Sequence, residues 1–200
     1  MILGIFGAAA FAVAQPDRVY TWLVPEEFLD PAYGRRQSGS PRLSVLVAPN
    51  GLPVRCAITI PSANPYIDTE MCRQVRRRAR FTPAHGPNGE PIFAVWSGNL
   101  TLEVVGAAAA AAVPAFDRVL TVNHLPSGPA HPTTHLAELF GSDGKVEACN
   151  VIGSSGSAQL DDLACQSAIA PLPLVDTAGH PVSAVVEQTL IFTTQSDTTP

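Results

Sequence analysis

The sequence is short of charge and has no long apolar run. Of its 200 residues 14% are charged and 46% are apolar, a balance that can bury a core and excludes wholesale disorder. No uninterrupted apolar stretch approaches the roughly eighteen residues of a membrane-spanning helix, so no integral membrane span is expected. A basic excess is missing too. Twelve Lys and Arg stand against seventeen Asp and Glu, for a formal charge of −5, which argues against nucleic acid as a partner because phosphate binding needs a basic footprint. Also missing are a C-x-x-C motif and any His at ligand spacing from a cysteine, which argues against structural zinc and dithiol redox chemistry. Neither a metal nor another cofactor is implied.

What is present begins with an apolar leader. Residues 1–14, MILGIFGAAAFAVA, are small and apolar throughout and end in Ala12-Val13-Ala14, an A-x-A-like cleavage site. They read as a secretory signal peptide rather than as a buried helix, because an amphipathic helix would carry a polar face. Export makes the chain periplasmic or secreted, where disulfides persist.

The rest of the chain contains a repeat. Cys56 and Cys72 are sixteen positions apart, as are Cys149 and Cys165, and the two pairs are offset by ninety-three. At the same offset, Asn50-Gly51 matches Asp143-Gly144 and Ile67-Asp68 matches Leu160-Asp161. Pro83, Gly89 and Pro91 match Pro173, Gly179 and Pro181 at an offset of ninety, so three residues are missing between Cys165 and Pro173. Agreement of cysteine, turn glycine, aspartate and the later Pro-Gly-Pro set in order marks a duplication.

Each copy reads as β-β-α-β. Leu43, Val45 and Val47 alternate up to the Pro49-Asn50-Gly51 turn, and Val54, Cys56, Ile58 and Ile60 alternate after it, which is a hairpin signal. Asp68 is the expected N-cap of a helix carrying Met71, Cys72 and Val75 on its apolar stripe. A long last strand is expected over residues 92–105, rich in β-branched and aromatic residues, and over 182–193 in the second copy. The fold class is therefore α+β: two tandem small units, each an antiparallel sheet packed on one helix. The expected division is signal peptide 1–14, irregular lead-in 15–40, first unit 41–105, Ala/Pro-rich linker 106–134, second unit 135–195 and disordered tail 196–200. Val19, Tyr20, Trp22, Leu23, Val24 and Phe28 of the lead-in are candidates to pack on the first unit.

Four cysteines allow three pairings. A shared ancestor for the two units favours Cys56 with Cys72 and Cys149 with Cys165, each tying the second strand to the helix. A bridge closing about fifteen residues contributes roughly 3 kcal/mol in the chain-entropy account, which matters for units this small.

The stretch 60–92, IPSANPYIDTEMCRQVRRRARFTPAHGPNGEPI, resembles the TonB C-terminal domain family. It has the Ser-containing turn, the Asn-Pro step, the Ile-Asp pair opening a helix, the phrase Arg78-Ala79-Arg80-Phe81-Thr82-Pro83-Ala84 and the Asn-Gly-x-Pro turn of residues 88–91. The resemblance covers residues 42–104. The second unit keeps the Asp-Gly hairpin, Ser154-Ser155-Gly156, Leu160-Asp161 and Gly179-His180-Pro181 but lacks the Arg-Phe phrase. The resemblance implies an energy-transducer-like periplasmic module of transmembrane transport. Such a module docks an extended peptide of an outer-membrane receptor, or of another envelope protein, beside its last strand. An unpaired sheet edge has the groups to do this. The implied edge residues are Val95, Trp96, Asn99 and Thr101. The alternative is a structural envelope module whose two units pair edge to edge without binding peptide.

Charge divides unevenly between the units. Residues 41–105 carry seven Lys/Arg and four Asp/Glu, a net +3, while residues 135–195 carry one and seven, a net −6. Arg73, Arg76, Arg77 and Arg80 are candidate contacts for an anionic partner. The plainer reading is a solvated helix face, or a basic first unit packed on the acidic second. No catalytic set is visible, and the chain reads as a non-enzyme. Asp176-Thr177-Ala178-Gly179 departs from an Asp-Thr-Gly loop by an inserted Ala, and Gly153-Ser154-Ser155-Gly156-Ser157 departs from G-x-S-x-G at its fifth position. His85, His124, His131, His135 and His180 fall in expected loops or at strand starts. Asn99-Leu100-Thr101 fits a glycosylation sequon but lies in an expected strand.

Overall fold

The computed structural model describes residues 11–30, 34–129 and 131–195. The lead-in holds β1 (Gln15–Asp17), β2 (Leu29–Asp30) and β3 (Arg35–Arg36). The first unit follows as β4 (Arg42–Val47), β5 (Pro53–Ile60), α1 (Pro65–Arg78), β6 (Arg80–Thr82), β7 (Ala84–His85) and β8 (Pro91–Asn99). Then come β9 (Arg118–Val122), β10 (Thr133–Phe140), β11 (Val146–Gly153), α2 (Ala158–Gln166) and β12 (Ala184–Thr194). The chain is an α+β protein: the second unit runs β-β-α-β, and the first adds the short strands β6 and β7 between its helix and its last strand. Of the expected leader, residues 1–10 lie outside the described residues. Ala12 forms a bridge with His85, and Ala14 is buried in the first core. The expected tail, 196–200, also lies outside them.

Local chemistry sets the hairpins and helix starts. Gly51 and Gly144 sit at φ 77° and 78°, a region that glycine enters without steric cost, and close the two hairpin turns. Asn64, not Asp68, is the N-cap of α1: its side chain accepts from the amides of Tyr66 and Ile67. Asp68 lies further into the helix and reaches back to accept from the Ser62 amide at 3.1 Å. Asp161 does the same in α2, accepting from the Ser155 amide at 2.9 Å and from the Ser154 hydroxyl. Burial alone would raise the pKa of Asp161, but these donors, with the Thr134 hydroxyl, hold it lowered. Both cysteine pairs are bridged, Cys56 to Cys72 and Cys149 to Cys165, with Cα atoms 5.5 and 5.8 Å apart.

The two units share one eight-stranded sheet. Its order is β11-β10-β12-β8-β4-β5, with β7 also on β8 and β9 also on β12. Neighbours are antiparallel except for β12 with β8 and β12 with β9. The join runs in parallel register, Ala184 with Phe93, Val185 with Ala94 and Val186 with Val95. Because strand residues alternate between faces, this register places Val185 beside Ala94 in the core under α1, which holds Leu43, Val45, Ile67, Met71 and Val75. It places Val186 on the other face. On that face β12 goes on to Leu190 and Phe192, which pack on Leu160 and Ala164 of α2. The two helices therefore lie on opposite faces of a common sheet.

A third cluster seals the join. Leu46 and Val95 of the first unit meet Phe140, Leu172 and Val186 of the second, with Ala168, Ala170 and Leu174 packed around them. Each fully buried Leu, Val or Phe contributes about 1.5–3 kcal/mol of transfer free energy, so this seam joins the units by burial as well as by hydrogen bonds.

Two expectations change here, and one about the lead-in is met for Trp22 and Phe28. The last strand of the first unit ends at Asn99 rather than at residue 105, because the chain then turns to bridge Leu102 with Gly39. The linker is not featureless, since β9 lies within it and pairs with β12. The lead-in is a layer of the first unit: Trp22 and Phe28 are fully buried, and Trp22 meets Phe81 and Trp96 at ring-centroid distances of 5.1 and 5.5 Å.

Candidate functional site

The join covers part of the edge expected on β8. At Ala94 and Val95 that strand has β4 on one side and β12 on the other, and no N–H or C=O row is left for a third strand there. Val95 is 2% exposed in the third cluster, and Trp96 packs on Trp22 and Phe81. Asn99 accepts from Arg42 at 2.8 Å and donates to the Val113 carbonyl at 3.1 Å. Thr101, beyond the end of β8, shares a 2.7 Å hydroxyl contact with Ser40. The four residues expected at a peptide-binding edge are thus core or internally hydrogen-bonded. Among the described residues, β5 and β11 end the strand order, while the shorter β7 and β9 each pair with one strand only.

Beside β5 lies a groove of about 1050 Å³. Its floor is β5, with Val54, Cys56 and Ile58, together with Leu52 of the turn before it and Phe93 of β8 in the same sheet. One wall is α1, which presents Thr69, Cys72, Arg73, Arg76 and Arg77, spaced as one helix stripe. Thr177 from the second unit closes one end. The disulfide holds strand and helix together across the groove.

The arginine run is partly committed. Arg73 donates to Glu70 at 2.7 Å and to Glu27 at 2.8 Å. Arg78 also pairs with Glu27, and Arg77 stands 3.7 Å from it. The Arg78 hydrogen bond is the main cause that lowers the pKa of Glu27. Burial alone would raise Glu70, but the hydrogen bonds from Arg73 and Gln74 leave it lowered, and Arg73 is raised chiefly by its bond to Glu70. Arg76 forms no ion pair among the described residues. Of the four arginines expected at an anionic contact, Arg73, Arg76 and Arg77 converge on the groove. Arg80 does not, for its guanidinium turns back to the Ala79 carbonyl at 2.7 Å. The acids that pair with the run belong to the lead-in and to α1, not to the second unit. Inter-unit packing is therefore carried by the strands, not by the basic helix on acidic surface.

Two buried polar features at the join were not legible in the sequence. Arg42 and Asp117, with side chains 6% and 4% exposed, pair at 2.9 Å, and Asp117 also accepts from the Thr189 amide of β12. Glu138 is fully buried. Its Oε2 accepts from Gln188 at 2.9 Å, while its Oε1 has no protein partner. Burial pushes its pKa up to about 8, against the charge of Arg118.

The motifs weighed for catalysis serve as turns. Asp176 accepts from the amides of Ala178 and His180, and its pKa is lowered chiefly by the His180 amide. Ser154 donates to Asp161, and the Ser155 hydroxyl caps Ser157. The Asn99 side chain of the sequon is consumed by Arg42 and residue 113. Two disulfides fit an extracytoplasmic protein, and among the described residues no helix is long and apolar enough to cross a membrane. Compared with protein-family models, with curated proteins and with solved structures, the chain matches none.

Proposed function

We propose that this chain is a non-enzymatic binding module of the cell envelope. In this reading two TonB-C-like units lock each other's last strands and offer the remaining sheet ends to extended peptide segments of envelope or outer-membrane transport proteins. The observation that carries it is the strand order. The two units join at β8 and β12, and the strand order ends at β5 and β11, and an open strand edge is where a peptide satisfies unpaired amides and carbonyls.

The test is to titrate the full oxidised chain with TonB-box-like peptides of outer-membrane receptors and follow backbone amides by NMR. Shifts at β5 or β11, with none at residues 93–95 or 184–186, are expected. Shifts centred on residues 93–95 would mean that the units part to bind and would overturn the reading. The parallel join also favours a second one, a structural envelope module without peptide ligands, for which no amide would move.

A further inference from the structure

β5 and β11, the two ends of the strand order, are not equivalent, and the difference points to the chemistry of a ligand. Along β5 the groove has an apolar floor and a wall of arginines on one stripe of α1. Along β11 the neighbouring helix carries Asp161 and Asp162 and no Lys or Arg. Lys145, in the turn that leads into β11, is held by Asp143 at 2.9 Å. A negatively charged segment would be attracted to the first and repelled by the second.

Resting on the strand-addition reading above, we propose that the groove between β5 and α1 binds an extended acidic peptide whose carboxylates alternate with apolar residues. Its acidic side chains would meet Arg73, Arg76 and Arg77. The alternation follows from the sheet. A strand laid on β5 sends successive side chains to opposite faces. One set points to the α1 wall, and the other lies over Leu52 and Val54, where Leu52 is 41% exposed. The eight residues of β5 span about 26 Å, which matches a peptide of about eight residues. Arg76 is the recognition charge. Arg73 and Arg77 already share Glu27, whereas Arg76 lines the groove without a carboxylate, so a peptide carboxylate would supply its first partner. Asp68 also lines the groove, but its oxygens accept from the Ser62 amide. That leaves the arginines as the charges open to a ligand.

The experiment uses the full oxidised chain and two synthetic peptides of roughly nine residues, long enough to span β5, one alternating Glu with Val and one alternating Gln with Val. The acidic peptide is expected to shift β5 amides and to bind about tenfold more tightly than the neutral one. Binding should weaken about tenfold in Arg76→Glu and again on raising salt, as for a charge-steered interface, and Arg80→Glu should bind as wild type. Equal affinity for the two peptides, shifts at β11 instead of β5, or Arg76→Glu binding as wild type would each overturn the proposal while leaving strand addition in place. If neither peptide moves any amide of the folded chain, strand addition itself falls.

Discussion

The two units begin alike and end differently. α1 starts at Pro65 and α2 at Ala158, ninety-three residues on, and each carries an aspartate that reaches back to the turn before it. α1 then runs fourteen residues to Arg78, while α2 stops after nine at Gln166. In the first unit the chain after the helix packs under the lead-in, where Phe81 meets Trp22. In the second, the shorter helix releases the chain to cross the far face of the first unit, where Leu172 and Ala170 seal the join. Even equivalent core positions diverge. Val45 pairs with Cys56, and its counterpart Glu138 pairs with Cys149. A duplicated hairpin-and-helix start can thus be kept by local hydrogen bonds while everything after it is free to specialise, one copy toward a basic groove and the other toward closing the shared sheet.

The largest expected effect strikes the join. Asp117→Ala leaves Arg42 buried without its counter-charge, a loss of about 3–5 kcal/mol. Hydrogen exchange should speed up in β4 and in β12 together. Faster exchange confined to β4 would show that the two units do not behave as one sheet.

Next come the bridges. Replacing Cys56 and Cys72 by Ser, or Cys149 and Cys165 by Ser, opens a loop of the same size, so each pair should lower stability to denaturant by about 3 kcal/mol. A clear inequality would show that the native packing of the two helices, rather than the unfolded chain, sets the effect.

The hairpin glycines should separate the units by a smaller margin. Ala at either Gly51 or Gly144 must adopt a positive φ, at about 1–2 kcal/mol. At Gly51 a Cβ would also stand 2.2 Å from the Phe81 carbonyl oxygen, whereas at Gly144 it meets nothing within 4 Å. Gly51→Ala is therefore expected to cost at least about 1 kcal/mol more. Equal thermal shifts would contradict that contact.

A pH-dependent effect concerns Glu138, the counterpart of Val45. Its folded-state pKa of about 8 lies above the ordinary 4.5, so the folded protein keeps this proton where the unfolded chain has lost it. Its contribution is full below about pH 4.5 and is lost as pH rises through about 8. Glu138→Gln should flatten this decline and melt at a higher temperature than wild type at pH 8, with little change at pH 4. A parallel fall in both proteins would place the pH dependence elsewhere. Val45, at the equivalent position, offers no such titration.

Much of each unit was readable because its determinants are local. Glycines that accept positive φ mark the hairpin turns, alternation marks β4 and β5, and the matched spacing of the cysteines chose their pairing. The sequence points to Asp68 rather than Asn64 as the N-cap because both offer a carbonyl or carboxylate oxygen near the same helix start, and only the backbone path shows which one meets the first amides. Of the candidate site, the sequence marked Arg73, Arg76 and Arg77 but placed the strand edge on β8, because it could not show which edge a neighbour would cover.

What the sequence determined by itself is what short segments can encode: two β-β-α-β units, two bridges, an acidic half and a basic half. The tertiary structure alone decided that β8 and β12 pair in parallel, that β9 joins them, that the helices lie on opposite faces and that β5 is left open beside the arginines. The reason lies in the backbone. Strand pairing uses amides and carbonyls that every residue carries, so which edges meet across some ninety positions of chain is settled by the packing of Val95, Phe140, Leu172 and Val186, and by no motif within either strand.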